Sequence, residues 1–422
     1  MNADNTKKAT IRIEKLIFGG QGIGLMETGK KCLVWNALPG EEVVINITKN
    51  KSNFIEGVAE KIIKPSPDRQ IPKEDYFLST SPWQIMNLTQ ENIAKQLILT
   101  DLFSKFYSAD SPIELISTEP EYGYRNKMEY CFWGDDNGIS LAHYKRGTHG
   151  KIPVKESALA SSKINLAGKS LINKLNEFGV RASDLKSVIF RSDKFGNVAM
   201  SLFVKKLDFI ELNEVDNING YEIWYSNPKS PASIRTKILS RYKSVNLQDN
   251  LLGQNFQYDV NCFFQVNLPV YELALEEIKK HTDNENILDM YCGVGSIGLS
   301  LQAKKIMMIE SDLQSSKWAK INAKLCSSNT QVINLPSEQA LEHIDATKFL
   351  VVDPPRSGLH KNLITRIIES KPSTIAYLSC NPSTQARDIA SLSSLYRISR
   401  MIGYNFFPKT PHIESLVILS LR

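Results

Sequence analysis

Short apolar and polar alternations broken by glycine open the chain: Thr10 to Ile17, Lys31 to Trp35, Glu42 to Lys49 and Asn53 to Ile63, with Gly19-Gly20-Gln21-Gly22-Ile23-Gly24 after the first. A period of two sends every second side chain to one face, so these runs predict a small all-β barrel over residues 1–63. Lys64-Pro65-Ser66-Pro67-Asp68 cannot continue a ladder, since proline brings no donor, and reads as a linker. Helical spacing runs from Gln84 to Phe106. Strand-like runs with interleaved aromatic and basic residues follow from Tyr122 to His149, and together these predict a mixed α+β central domain over 64–252.

After Leu252 strand and helix alternate. Ile287 to Met290, Ile306 to Ile309, Thr330 to Leu335, Phe349 to Val352 and Thr374 to Ser379 are short apolar runs, each followed by helical spacing such as Leu313 to Leu325. Repeated βα units predict an open parallel sheet with helices on both faces, an α/β, Rossmann-like domain over 253–422. The closing runs, Tyr396 to Asn405 and Glu414 to Leu421, have no helix between them and could add an antiparallel edge hairpin.

Composition narrows this only a little. With 422 residues, 42% of them apolar, the chain can bury more than one core. It has no apolar run long enough to span a bilayer, and Met1 to Thr10 lacks the apolar stretch of a secretory signal, so the cytoplasm is the expected compartment. Cysteines 32, 131, 262, 292, 326 and 380 form no C-x-x-C pair, which argues against a disulfide framework or a metal site. A formal charge of +6 leans toward a polyanionic partner without deciding the matter.

Candidate chemistry gathers at the predicted strand ends. Asp289-Met290-Tyr291-Cys292-Gly293-Val294-Gly295-Ser296 follows the first α/β strand and opens a helix, where glycines let the backbone pass close to a ligand. Glu310 ends the second strand about 20 residues later, the usual place for a carboxylate that binds ribose hydroxyls. Gly293, Gly295 and Gly298 keep a dinucleotide-type spacing, but the acid at Asp289 and the Tyr-Cys pair suit adenosylmethionine better than a pyrophosphate. Tyr291 reads equally as a packed strand-end aromatic. Asp353-Pro354-Pro355-Arg356 leaves the fourth strand through two stiffening prolines, and Ser379-Cys380-Asn381-Pro382 leaves the fifth. Arg356 stands where enzymes that methylate amino nitrogens carry a stacking aromatic. A lone strand-end cysteine is most often a small buried hydrophobe, yet beside Asp353 it offers a nucleophile. A thiolate added at C6 of uracil makes C5 nucleophilic enough to take a sulfonium methyl. The C5 proton must then leave, and Glu414, with His412 as second candidate, could accept it.

With these residues in view, the chain resembles the RNA 5-methyluridine methyltransferase family over almost its whole length. The amino-terminal segment is similar to a TRAM domain, an RNA-binding barrel of OB type. Tyr124-Arg125-Asn126-Lys127-Met128-Glu129 and Phe264-Gln265-Val266-Asn267 match family signatures, and the two strand-end motifs complete the set. The resemblance implies cofactor contacts to S-adenosylmethionine by Gln265, Tyr291, Glu310 and Asp353, attack by Cys380 and proton abstraction by Glu414. Arg125, Asn126 and Phe263 are its substrate-side candidates, with Phe263 able to stack on a flipped uracil or simply to pack. Many members hold a 4Fe-4S cluster; here Pro72, Leu78, Ser81 and Ser157 stand at the ligand positions, so no cluster is expected and the linker should rest on packing alone. The implied partner is structured RNA met by a monomer, through Lys7, Lys8, Arg12, Arg125, Lys127, Lys145 and Arg146. Ribosomal RNA is favoured over the transfer-RNA T loop because transfer-RNA members often lack the barrel. Methylation of another base position, or an RNA-binding role with a degenerate methyltransferase domain, are the competing readings.

Overall fold

The computed structural model describes residues 8–107, 112–136, 138–326 and 329–422, which form two compact units. Lys7 lies outside the described residues. The first unit joins the chain up to Ser117 with a late segment, Gly403–Glu414; the second holds Thr118–Ile402 and Ser415–Arg422.

A six-stranded sheet opens the first unit, in the order Lys8–Arg12, Glu42–Asn50, Phe54–Lys64, Lys31–Trp35, Gly22–Leu25, Lys15–Leu16. The two outermost strands are consecutive in the chain, so the sheet has to curl back on itself. This is why the run expected from Thr10 to Ile17 is broken at Ile13 and Glu14: the chain crosses there from one edge to the other, and the Glu14 amide donates to Ile23 O at 2.8 Å. Alternate residues Ile11, Ile13, Cys32, Val34, Val43 and Ile45 fill the interior.

The linker is held by more than packing, which corrects the sequence expectation. Arg69 pairs through two nitrogens with the fully buried Glu41, at 2.6 and 2.7 Å. Buried Gln84 donates to Glu74 and to Ser81, each at 2.7 Å, and accepts from the Lys73 amide. Its engagement there also explains why the helix begins late, at Leu88, behind Asn87, whose side chain accepts from the Gln90 amide; it ends at Phe103.

In the second unit a seven-stranded sheet runs Lys151–Val154, Gly138–Tyr144, Lys127–Asp135, Leu185–Ser192, Val198–Val204, Gly220–Tyr225, Lys237–Tyr242. Helix Ser162–Glu177 buries Ile164, Leu171 and Leu175. The C-terminal sheet places its strands in the order Thr330–Ile333, Lys305–Ile309, Asn286–Met290, Phe349–Val352, Thr374–Ser379, Glu414–Leu421, Tyr396–Tyr404. The first five are parallel and Glu414–Leu421 is antiparallel to Thr374–Ser379. Winding proceeds outward in both directions from Asn286–Met290, which leaves a crevice beyond its carboxyl end. After Thr330–Ile333 two short 3-10 turns, Ser337–Gln339 and Leu341–His343, replace the expected helix.

Candidate active site

The glycine turn is pinned from below by two acids. Asp289 is fully buried, and its Oδ2 accepts the Gly298 amide at 2.9 Å. A Cβ on Gly298 would lie 2.9 Å from that same oxygen, so the position needs glycine. Burial pushes the Asp289 carboxyl up to about 8, against the Gly298 hydrogen bond and with the charges of Asp353 and Glu310 adding to the rise. Half-buried Glu310 accepts the Gly293 amide at 2.8 Å and the Asp312 amide at 2.6 Å. Tyr291 takes a left-handed φ of 68°. Burial raises its phenol, while hydrogen bonds to Ser337 and to the backbone at His360 pull the other way.

Asp353 differs from both of these acids. It follows Val352, which pairs in parallel with Tyr377, so the ends carrying Asp353 and Cys380 belong to neighbouring strands. Its carboxylate makes no hydrogen bond among the described residues, and desolvation raises it to about 7. An acid that is poor in water and has no partner is ready for a polar ligand.

The loops that follow Asp353 and Cys380 are tied together. Arg356 O accepts the Asn381 side-chain amide at 2.8 Å and the Thr384 hydroxyl at 3.2 Å. Arg387 donates to Ser357 O at 2.8 Å, and Asp388 Oδ2 accepts both the Leu359 amide at 2.8 Å and the Tyr377 hydroxyl at 2.9 Å. Helix Pro382–Leu392 therefore clamps the segment that follows Asp353 immediately beyond Cys380. Among the described cysteines 32, 131, 262 and 292 are buried, whereas Cys326 and Cys380 keep part of their surface exposed, and of these two only Cys380 follows a strand of the C-terminal sheet. Ser379 pairs with Ser415, so Cys380 comes one residue after the last paired residue of one strand and Glu414 one residue before that of the other. Glu414 is buried; His412 is exposed and meets Phe407 edge-on, with ring centroids 5.8 Å apart.

Phe263, one of the residues the resemblance put on the substrate side, is 64% exposed. The cause is Arg191, a residue the sequence reading missed. Wholly buried in strand Leu185–Ser192, it donates to Cys262 O at 2.7 Å and to Phe264 O, and its guanidinium lies 4.7 Å from the centre of the Tyr258 ring. From the other side Asp259 accepts the Asn261 and Cys262 amides and, through its second oxygen, the Trp318 indole N–H. With both flanking carbonyls taken, the side chain between them turns outward. The strand also carries Lys186, Ser187 and Ser192, so no signal in the sequence singled out Arg191. Gln265 is buried, and its carbonyl accepts the Asn126 side chain at 3.3 Å. Arg125 is half-buried against the Tyr124 ring. Lys127 is half-buried too, its ammonium pushed down to about 8 by burial and by the Arg191 charge, which suits a phosphate contact less well than the exposed Lys8, Arg12, Lys145 and Arg146.

Among the described residues no cluster of His, Cys, Asp or Glu could hold a metal ion, and no helix is long and apolar enough to cross a membrane. Pro72 and Leu78 are half-buried, and Ser81 and Ser157 are buried.

Comparison with known proteins agrees with this geometry. Residues 88–422 match the model of the family tRNA (Uracil-5-)-methyltransferase, and residues 5–59 match the TRAM domain. Uncharacterized RNA methyltransferases of Thermotoga maritima and Nanoarchaeum equitans are 28% and 30% identical, covering 97% and 95% of this chain and 98% and 91% of their own. The crystal structure of the Pyrococcus abyssi tRNA (uracil-54, C5)-methyltransferase in complex with S-adenosyl-L-homocysteine has the same fold, with a TM-score of 0.78 at 22% identity over 98% of this chain and 100% of that one.

Proposed function

The chain belongs to the tRNA (uracil-5-)-methyltransferase family, and on that premise we propose that it methylates C5 of a uridine in structured RNA, with Cys380 as covalent nucleophile and Glu414 as general base. The observation that carries the reading is the register of three neighbouring strands. It brings the ends bearing Asp353, Cys380 and Glu414 to one edge of one sheet.

The residues at the switch point fit S-adenosylmethionine: an unpartnered, desolvated Asp353 and a glycine turn held by Glu310, with Tyr291 in that turn and the buried Gln265 as further proposed contacts. When bound, that cofactor supplies an electrophilic methyl group. On the protein side, the Cys380 thiolate adds to C6 of uracil, and the electron pair of the C5–C6 double bond moves onto C5, which takes the methyl. Glu414 then removes the C5 proton, the double bond re-forms and the thiolate leaves. Phe263 offers a face for the flipped base, with Arg125 and Asn126 on the same side. In this scheme residues 1–63 and 64–252 bind RNA and 253–422 perform catalysis.

The preference for ribosomal RNA rested on the barrel. The Pyrococcus protein, a tRNA (uracil-54, C5)-methyltransferase, shares its fold with this chain over 98% of the length, barrel included, so the barrel does not choose between the two. Mass spectrometry that maps the 5-methyluridine lost on deletion of the gene names the target. For the mechanism, Cys380→Ala should abolish methylation and any covalent protein–RNA species. Glu414→Gln should methylate and then stall as an adduct that survives a denaturing gel. Substantial activity in Cys380→Ala would transfer the assignment to methylation at another base position; normal turnover of Glu414→Gln would move the base to His412.

A further inference from the structure

Three fully buried ionisable groups of the first unit, Glu91, Lys95 and Lys409, have no part in the mechanism above. Lys95 pairs with Glu91 at 2.8 Å, one helical turn away, and donates to Asn405 Oδ1 at 2.6 Å and Phe407 O at 3.2 Å. Asn405 returns its amide to Glu91 at 3.0 Å and Asn92 at 2.8 Å. The second Glu91 oxygen accepts the Lys409 backbone amide at 2.8 Å, and the Lys409 ammonium reaches Met86 O at 2.8 Å. Trp83 completes the frame, with its amide on Lys409 O at 3.2 Å and its indole N–H on Gly20 O at 3.0 Å. Gly20 is the barrel turn that presses on Pro411, for a Cβ there would lie 2.4 Å from the Pro411 Cβ.

Apart from the Lys95–Glu91 pair and the Trp83–Gly20 bond, these contacts fall on the segment from Asn405 to Pro411, which leads directly into His412 and Glu414. Apolar side chains would bury the same space at lower desolvation cost, so ion pairs in such a place are poorly explained by stability. What a fully satisfied polar network supplies is a single geometry. We infer that Lys95, with Glu91, Asn405 and Lys409, is a positioning residue for the general base, Glu414, which follows this segment in the chain. Cofactor binding, attack by Cys380 and methyl transfer precede the step that uses Glu414 and do not depend on this positioning. The inference rests on the assignment of Glu414 proposed above.

Single-turnover kinetics separates the steps, with methyl incorporation into RNA followed beside release of RNA from the denaturation-resistant adduct. Lys95→Met should keep methyl incorporation within about threefold of wild type while release slows at least about tenfold and methylated adduct accumulates; Lys95→Arg should restore part of the release. Gly20→Ala, which crowds Pro411 from outside the cluster, should show the same split and serves if Lys95→Met does not fold. Equal loss of both steps in the folded variants, or normal release, overturns the inference. Glu414→Gln is measured in parallel. If it stalls while Lys95→Met and Gly20→Ala release normally, only the positioning role fails; if it does not stall, the base assignment has failed first.

Discussion

Replacing Phe263 by alanine isolates substrate recognition from folding. The ring is 64% exposed, so only about a third of the roughly 3 kcal/mol available from burying a phenylalanine is realised in the folded chain, and truncation should remove no more than about 1 kcal/mol of stability. If the ring stacks on the target base, its loss should cost about 1 to 3 kcal/mol, or roughly five- to 150-fold in kcat/KM for RNA. Adenosylmethionine affinity should not change. Arg191→Met is the informative companion. It strips the donor from two carbonyl oxygens, at about 1 to 3 kcal/mol for each left buried and unpaired, offset in part because a buried charge disappears with it. That variant should lose both stability and kcat/KM. Thermal unfolding, calorimetry with the cofactor, and steady-state methylation of RNA read the three quantities. An unchanged kcat/KM in Phe263→Ala, or a loss of stability equal to that of Arg191→Met, would refute the argument that the loop is built to display this ring.

Further outcomes follow from the same geometry. The folded-state carboxyl of Asp289 is raised to about 8, so the native chain holds a proton that the unfolded chain releases near pH 4; the stabilising contribution is complete below that and is lost as pH rises through 8. Asp289→Asn keeps an acceptor for Gly298 and cannot titrate, so its unfolding free energy should vary less between pH 5 and 9, and an unaltered slope would contradict the assignment. Protein purified without oxygen should be colourless and free of iron, since Pro72, Leu78, Ser81 and Ser157 offer no thiolate; stoichiometric iron and sulfide would show another ligand set. RNA affinity should fall as salt rises, with charge removal at Lys8, Arg12, Lys145 or Arg146 flattening the dependence; a flat wild-type response would make these side chains ordinary surface.

Local pattern was enough for much of this. The period-two runs and the βα alternation located the barrel and the C-terminal sheet, because burial of one face imposes its period directly on the residues. The strand ends at Asp289, Glu310, Asp353 and Cys380 could be read for the same reason, since a turn after an apolar run marks where a sheet presents its carboxyl edge. What the sequence left open was each acid's task. Asp289, Glu310 and Asp353 look alike in one dimension, yet one holds a helix start, one holds a glycine turn and one keeps its carboxylate without a partner, a division set by backbone amides that arrive from distant residues. The same holds for Thr10 to Ile17, whose alternation continues through the corner where the barrel closes. Arg191 and Lys95 were beyond reach altogether. Apart from Glu91, one turn before Lys95, their partners lie at residues 262–264 and 405–407, and a buried cation carries no local signature of the carbonyls that will surround it, since only the assembled fold brings those oxygens within hydrogen-bonding distance.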